Sequence, residues 1–235
     1  MVGVLGLPDG VNALLFDLDG VLTKTATVHA KAWKEMFDAF LKERDGDGYT
    51  PFDVHRDYDE YVDGKPRQDG VKDFLKSRGI DADAALVQRL GDEKNDLVQQ
   101  VIERDGVEVY EGSVDYVRKA KAADFKLAVV SSSANAKPVL RSVGILDLFD
   151  DVVDGHAVAE GGLKGKPAPD TFLEGARRLA AEPARAVVFE DALAGVEAGR
   201  AGKFGYVVGV DRVGQAQALR EHGASVVVSD LSELA

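Results

Sequence analysis

The stretch ALLFDLDGVLT (13–23) decides the fold, because an unbroken apolar run ends in two carboxylates, Asp17 and Asp19, and then in Gly20. Apolar runs without polar alternation, set between helical stretches, fit strands buried on both faces of a parallel sheet. Two acids two residues apart repel each other unless something positive stands between them. A hard cation such as Mg2+ meets that demand with oxygen ligands. Gly20 lets the chain turn sharply just beyond. Taken alone, Asp-x-Asp-Gly is also a common turn, and both readings stand on these residues; the apolar strand before it favours a site.

Working outward, similar runs recur in KLAVVSSS (126–133), RAVVFEDA (185–192), FGYVVGV (204–210) and ASVVVSD (224–230), each followed by a helical pattern or a polar turn. Strands alternating with helices predict an α/β fold: a doubly wound, Rossmann-like parallel sheet covered on both faces. Such sheets bind ligands beyond the carboxyl ends of their strands. There stand Asp17 and Asp19, Ser131 to Ser133, and Glu190 with Asp191.

Residues 25–106 read differently. VHAKAWKEMFDAFLKE (28–43) carries Ala32, Trp33, Met36, Phe37, Phe40 and Leu41 at helical spacing. VKDFLKSRG (71–79), DAALVQRL (83–90) and EKNDLVQQVIER (93–104) predict three further short helices, and no strand run interrupts them. The expected organisation is a core of 1–24 and 107–235 with a helical cap of 25–106 inserted after the first strand. RDGDGY (44–49) reads as a loop; its acids and glycine do not fall where a calcium-binding EF-hand loop needs them.

The 235 residues are 45% hydrophobic and 30% charged, enough for one large core. No apolar run approaches the roughly 18 residues of a membrane span, so no membrane partner is expected. The N-terminal residues lack a basic leader followed by a cleavage site, and a cytoplasmic protein is expected. The absence of cysteine excludes disulfides, thiolate nucleophiles and zinc–sulfur sites. A net charge of -12 argues against nucleic acid as a partner. It also repels phosphorylated substrates at long range, so a phosphate site here must concentrate positive charge locally.

Three tracts meet that demand. VFEDALAG (188–195) sets Glu190 and Asp191 at a strand end, so four carboxylates from two strand ends suggest an oxygen-ligand metal site. KGKPAPD (164–170) supplies Lys166, which precedes a proline and is therefore held outside helix. This is no Walker loop, since Pro167 stands where Ser or Thr is required. A plain surface lysine is the other reading of this tract. In SSSAN (131–135) hydroxyls and backbone N–H groups at a helix start form a phosphate cradle or an ordinary cap.

FDLDG, VVSSS, KGKPAPD and VFEDALAG, in this order, resemble the four motifs of the haloacid dehalogenase superfamily, spread over nearly the whole chain. The resemblance implies that Asp17 attacks phosphorus and that Asp19 is the general acid and base. It implies that Ser131, Ser132 and Lys166 bind the transferring phosphoryl group, and that Asp17, Glu190, Asp191 and the backbone carbonyl of Asp19 hold Mg2+. Phosphoryl transfer rests on positioning and charge neutralisation, which these residue types provide.

Within the predicted cap the chain is similar to the β-phosphoglucomutase branch. Thr25, His29 and Trp33 in TKTATVHAKAWK (23–34), Gly64 and Arg67 in DGKPR (63–67), and Lys94 and Asn95 in EKND (93–96) stand in that branch's register, as do Ser133 and Asn135 in the core. The resemblance implies substrate contacts from Thr25, His29, Gly64, Arg67, Lys94, Ser133 and Asn135. A satisfied helical histidine, a core tryptophan and a solvated loop arginine remain the plain alternatives for His29, Trp33 and Arg67. Three positions depart from the pattern: Lys24 replaces a hinge acid, Ala134 a lysine at the distal phosphate, and Glu111 a proline; Lys137 is a candidate to compensate for Ala134. The implied activity is interconversion of β-glucose 1-phosphate and glucose 6-phosphate by a monomer through an aspartyl-phosphate, with cap closure excluding water. A sugar-phosphate phosphatase of the same superfamily is the alternative.

Overall fold

Aliphatic and β-branched residues buried from end to end build the sheet, most completely in β1 (Ala13–Phe16) and β4 (Ala186–Glu190). The computed structural model describes residues 4–234. With β2 (Lys126–Val130), β3 (Asp151–Val153), β5 (Tyr206–Val210) and β6 (Val226–Val228), these strands form one six-stranded sheet in the order β3-β2-β1-β4-β5-β6. Every pairing is parallel. The sequence reading does not find β3, since three residues flanked by aspartates carry no apolar run long enough to stand out.

Alternate strand residues face opposite sides, and both sides are covered. Ala13 and Leu15 of β1 pack with Ala128, Val130, Val188, Phe172 and Val196 in one core. Two of these come from α7 (Asp170–Arg178) and α8 (Leu193–Ala201). A Cβ at Gly175 would press into Leu15 and Val130, so glycine lets α7 lie close on the sheet. On the other side Phe16 stacks on Phe189 at 4.4 Å, and Tyr116 of α4 (Glu111–Ala122) meets Phe189 edge-on at 5.5 Å. Each large apolar side chain so buried contributes about 1.5–3 kcal/mol. Of the shorter helices α5 (Ala136–Ser142), α6 (Gly155–Glu160) and α9 (Ala216–His222), the last two add Val158 and Leu219 to the core under α7 and α8.

The described chain divides into two compact units, one holding the segments up to Lys24 and from Val107 onward, the other Thr25–Gly106. Where the chain leaves and re-enters the sheet unit, its two strands are paired. Lys24 donates its N–H to the Glu108 carbonyl at 2.8 Å, and Thr23 bridges Val109 in antiparallel fashion.

The second unit is helical, built from α1 (Ala26–Asp45), α2 (Arg67–Ser77) and α3 (Ala84–Asp105). Its core holds Trp33, Met36, Phe37, Leu41, Phe52, Phe74, Leu75 and Leu90, with Phe37 4.1 Å from Phe74 between ring centres. Of the α1 face read from the sequence, Phe40 alone is not fully buried but packs at the margin of that core. The two expected helices over 83–90 and 93–104 are one continuous α3. Gly91 in its middle costs about 1 kcal/mol in helix propensity, but it packs against the stem of Arg67 and tertiary contact prevails. No helix among the described residues is long and apolar enough to cross a membrane.

Candidate active site

The strand order sets the place of the site. The chain builds outward from β1 through β2 to β3, then crosses back to begin the other half at β4. Between β1 and β4 lies the topological switch point, where open α/β sheets bind ligands beyond their carboxyl ends. Phe16 is in register with Phe189, and the Asp17 N–H continues the ladder to the Phe189 carbonyl at 2.9 Å. Asp17 and Glu190 therefore emerge side by side. On the other flank the Ser131 N–H extends β2 by donating to the Val153 carbonyl at 2.9 Å.

Lys166 ties these ends together. Its ammonium donates to Asp17 Oδ1 at 2.5 Å, to Glu190 Oε1 at 2.6 Å and to the Val130 carbonyl at 3.3 Å, and lies 4.8 Å from the centre of the Phe172 ring. All three charged side chains are buried, Glu190 completely. Burial disfavours the lysine's charge, but Asp17 and Glu190 outweigh it and push its pKa up. Burial also pushes the Asp17 carboxyl well above the usual carboxylate range, and repulsion from Glu190 and Asp19 adds to this, while Lys166 pulls it down. An interior charge stripped of its partner costs about 3–5 kcal/mol, which explains why the three groups interlock.

Lys166 pairs with Asp17 and Glu190, Asp19 adds a repelling charge to Asp17, and Asp191 lies beside Gly20, so carboxylates outnumber the ammonium paired with them. Among the described residues no three acidic or histidine side chains are already gathered into a metal cluster, and Lys166 lies between two of the four acids. The donor set nevertheless fits a hard cation, being carboxylate oxygens in excess of their counter-charge on adjoining strand ends. Two glycines make room for the carboxylates themselves. A Cβ on Gly20 would collide with the Asp191 carboxylate, and one on Gly195 with that of Glu190. Gly20 also has a positive φ of 83°, which favours glycine independently.

The serine tract forms a tight turn. Ser131 Oγ accepts the Ser133 N–H at 3.1 Å, and Ser133 Oγ accepts the Asn135 N–H at 3.2 Å. Ser132 and Asn135 are half-buried in the same turn. Lys137, considered as a substitute for the lysine absent at Ala134, pairs with the buried Asp154 at 3.2 Å. Lys24 pairs with Glu108 at 2.7 Å, and Glu111 opens α4 as its first residue.

Within the helical unit several of the sequence-derived candidates share one region. Lys94 Nζ lies 2.7 Å from His29 Nδ1 and 4.7 Å from the Trp33 ring centre. A protonated lysine has only donors, so His29 Nδ1 accepts. Trp33 is buried and stacks on Phe37 at 5.3 Å, so it belongs to the core. Arg67 donates to Asp92 at 3.2 Å and rests against Gly91, three residues before Lys94 and so on the same face of α3. Thr25 precedes α1 and accepts the His29 N–H on its carbonyl at 2.9 Å. Gly64 turns the chain with a φ of 68° shortly before α2, and Asn95 lies within α3 next to Lys94.

Two contributors are invisible to sequence reading. Gln215 donates its side-chain amide to the Asp191 carbonyl at 3.0 Å, and Arg212 to the Gly20 carbonyl at 2.8 Å. Both stand in the polar loop DRVGQ (211–215), where no spacing or hydrophobic pattern distinguishes them.

The family model for haloacid dehalogenase-like hydrolases matches residues 11–203. The chain is 51% identical over 246 residues to a β-phosphoglucomutase of Mycobacterium bovis, covering 98% of this chain and 94% of that one. It is 36% identical over 228 residues to a β-phosphoglucomutase of Bacillus subtilis, covering 95% and 92% of the two chains. A solved β-phosphoglucomutase from Clostridium difficile aligns with a TM-score of 0.80 at 26% identity, covering 96% of this chain and 93% of that one.

Proposed function

The chain belongs to the haloacid dehalogenase-like hydrolase family, and from that membership we propose that it is a phosphomutase interconverting β-glucose 1-phosphate and glucose 6-phosphate. The observation that carries this reading is the buried Asp17 carboxylate held 2.5 Å from Lys166 at the switch point, in a chain 51% identical to a β-phosphoglucomutase. The sheet unit is its catalytic core and Thr25–Gly106 its cap.

Asp17 is the nucleophile. As an aspartyl-phosphate it donates its phosphoryl group to the 6-hydroxyl of β-glucose 1-phosphate: the new P–O bond forms, the Asp17–phosphorus bond breaks, and Asp19 takes the hydroxyl proton. The resulting 1,6-bisphosphate returns its C1 phosphate to Asp17, and Asp19 gives the proton back to the departing O1. Lys166 and the Ser131–Ser133 turn neutralise and hold the transferring group. Asp17, Glu190, Asp191 and the Asp19 carbonyl would hold Mg2+, which when bound supplies the positive charge that the excess of carboxylates lacks. Arg67, His29 and Lys94, with Thr25, Gly64, Ser133 and Asn135, are assigned to the sugar and its non-reacting phosphate. A guanidinium suits bidentate phosphate binding.

The test is product analysis with β-glucose 1-phosphate, Mg2+ and a trace of glucose 1,6-bisphosphate. Glucose 6-phosphate without matching inorganic phosphate is expected, and EDTA should abolish it reversibly. Inorganic phosphate in place of glucose 6-phosphate would make the chain a sugar-phosphate phosphatase. Activity that survives EDTA would remove the metal from the mechanism.

A further inference from the structure

Arg212 follows β5 in the loop DRVGQ (211–215), a place where an arginine ordinarily serves as a solvated rim charge. Its side chain is only 13% exposed and all of its N–H groups are committed. Nε donates to the Gly20 carbonyl at 2.8 Å and Nη2 to the Val21 carbonyl and Ser113 Oγ, each at 3.4 Å. Nη1 donates to the Ser229 carbonyl at 2.6 Å and to Asp230 Oδ2 at 3.5 Å. Five acceptors thus meet the five donors a guanidinium carries. The plane of the group lies 3.5 Å from the Tyr110 ring centre, in the segment that re-enters the sheet unit.

Two of those acceptors belong to the turn immediately after Asp19. Within that turn Gly20 donates to the Thr23 carbonyl at 2.8 Å and Leu22 to the Leu18 carbonyl at 2.9 Å, and at its far end the Leu22 carbonyl accepts the Tyr110 N–H at 2.9 Å. None of these three bonds uses the carbonyls of Gly20 and Val21, the two residues that follow Asp19. Arg212 anchors it to three other segments: Tyr110, Ser113 and the chain at 229–230. The loop carrying Arg212 is itself tied together, since Asp211 Oδ1 accepts the N–H groups of Val213, Gly214 and Gln215 at 3.2, 2.7 and 2.8 Å. A lysine could not replace this arginine, because one ammonium cannot reach five acceptors spread over a planar fork.

We propose that Arg212 is a positioning residue for phosphoryl transfer, setting the Asp19 carboxyl by anchoring the carbonyls of Gly20 and Val21. This rests on the reading of Asp19 as the group that moves the proton. The consequence depends on the leaving group. Transfer between Asp17 and a sugar oxygen needs a proton delivered or removed at that oxygen. Phosphorylation of Asp17 by acetyl phosphate does not: the P–O bond breaks and acetate departs as a stable anion. Misplacement of Asp19 therefore slows the first reaction and largely spares the second, whereas general loosening of the fold slows both.

Arg212→Ala and Arg212→Lys are compared with the parent in both reactions. For sugar transfer kcat should fall on the order of 10²-fold, the lower range of a general acid–base contribution. KM should change little, and phosphorylation by acetyl phosphate should fall several-fold at most. Arg212→Lys keeps the charge and should show the same split, and it carries the comparison if Arg212→Ala does not fold. Equal losses in the two reactions, or parent-like sugar transfer in Arg212→Lys, would overturn the positioning role. If the parent itself makes no glucose 6-phosphate, the mutase reading fails. The same split is then read in inorganic phosphate released from glucose 1-phosphate, whose departing oxygen needs the same proton.

Discussion

Lys166 keeps its charge where burial would remove it, because Asp17 and Glu190 lie 2.5 and 2.6 Å from its Nζ. The balance is uneven for Asp17, whose carboxyl is pushed well above the ordinary range by burial and by Glu190 and Asp19. A carboxyl raised by folding is destabilising when ionised, so its charge weakens the metal-free protein at neutral pH, and protonation as pH falls restores the loss. Asp17→Asn removes that charge while Glu190 still pairs Lys166. In EDTA the variant should therefore melt at a higher temperature than the parent. Its turnover should fall at least ~10³-fold, about 4 kcal/mol of barrier, since an amide does not form the aspartyl-phosphate proposed for this position. Thermal melts and product assays check both; a lower melting temperature or near-parent turnover contradicts the assignment. Function held at the expense of stability is a common trade at reactive sites.

Among the elements, α7 shows how a helix is fastened to the edge of the sheet. Its apolar side buries Phe172 and Ala176, and its C-terminal Arg178 reaches β3, one of the two three-residue edge strands. Glu174 accepts from Arg177 Nε at 2.7 Å and Nη2 at 2.8 Å, and from Arg178 Nε at 2.8 Å. Arg178 in turn donates to Asp151 Oδ1 of β3 at 3.1 Å. The hydrogen bonds from Arg177 and then Arg178 hold the Glu174 carboxyl at about 2, below its ordinary 4.5. A depressed carboxylate stabilises the fold above its ordinary pKa and loses that contribution as pH falls towards the depressed value. Glu174→Gln should be less stable than the parent by ~0.5–1 kcal/mol at pH 7, the scale of a solvent-screened network. Urea midpoints should show the gap narrowing between about pH 5 and pH 3; a gap that widens on acidification would refute the network's role. Helix α3 teaches a related lesson. Gly91 lies between the two helices expected over 83–90 and 93–104, yet α3 runs through it and it gives Arg67 room to lie against the helix.

Over the whole molecule, the helical unit enters and leaves at one paired point, Lys24 with Glu108 and Thr23 with Val109. Its cores are separate, one formed by the sheet residues and one by the aromatic cluster around Phe37. Replacing residues 25–106 by a short glycine-containing turn should therefore leave the sheet unit folded, because the paired ends are already spaced for a hairpin. A cooperative melt with a parallel-sheet far-UV spectrum is expected; loss of cooperativity would show that the two units fold only together. Much of this organisation was legible in the residues alone. Five of the six strands, the helical character of 25–106 and the acids at strand ends follow from apolar runs and their period, which are local properties. The sequence by itself determined five of the extended segments, the helical character of 25–106, and that Asp17, Asp19, Glu190 and Asp191 stand at the ends of apolar runs. Only the tertiary structure decided which of them meet. Lys166 reaches Asp17 across 149 residues and Glu190 across 24, and Arg212 reaches the Gly20 carbonyl across 192. Those pairings arise from strand order and from the demand that buried charges and carbonyls find partners, and that demand exists only once the whole chain has excluded water.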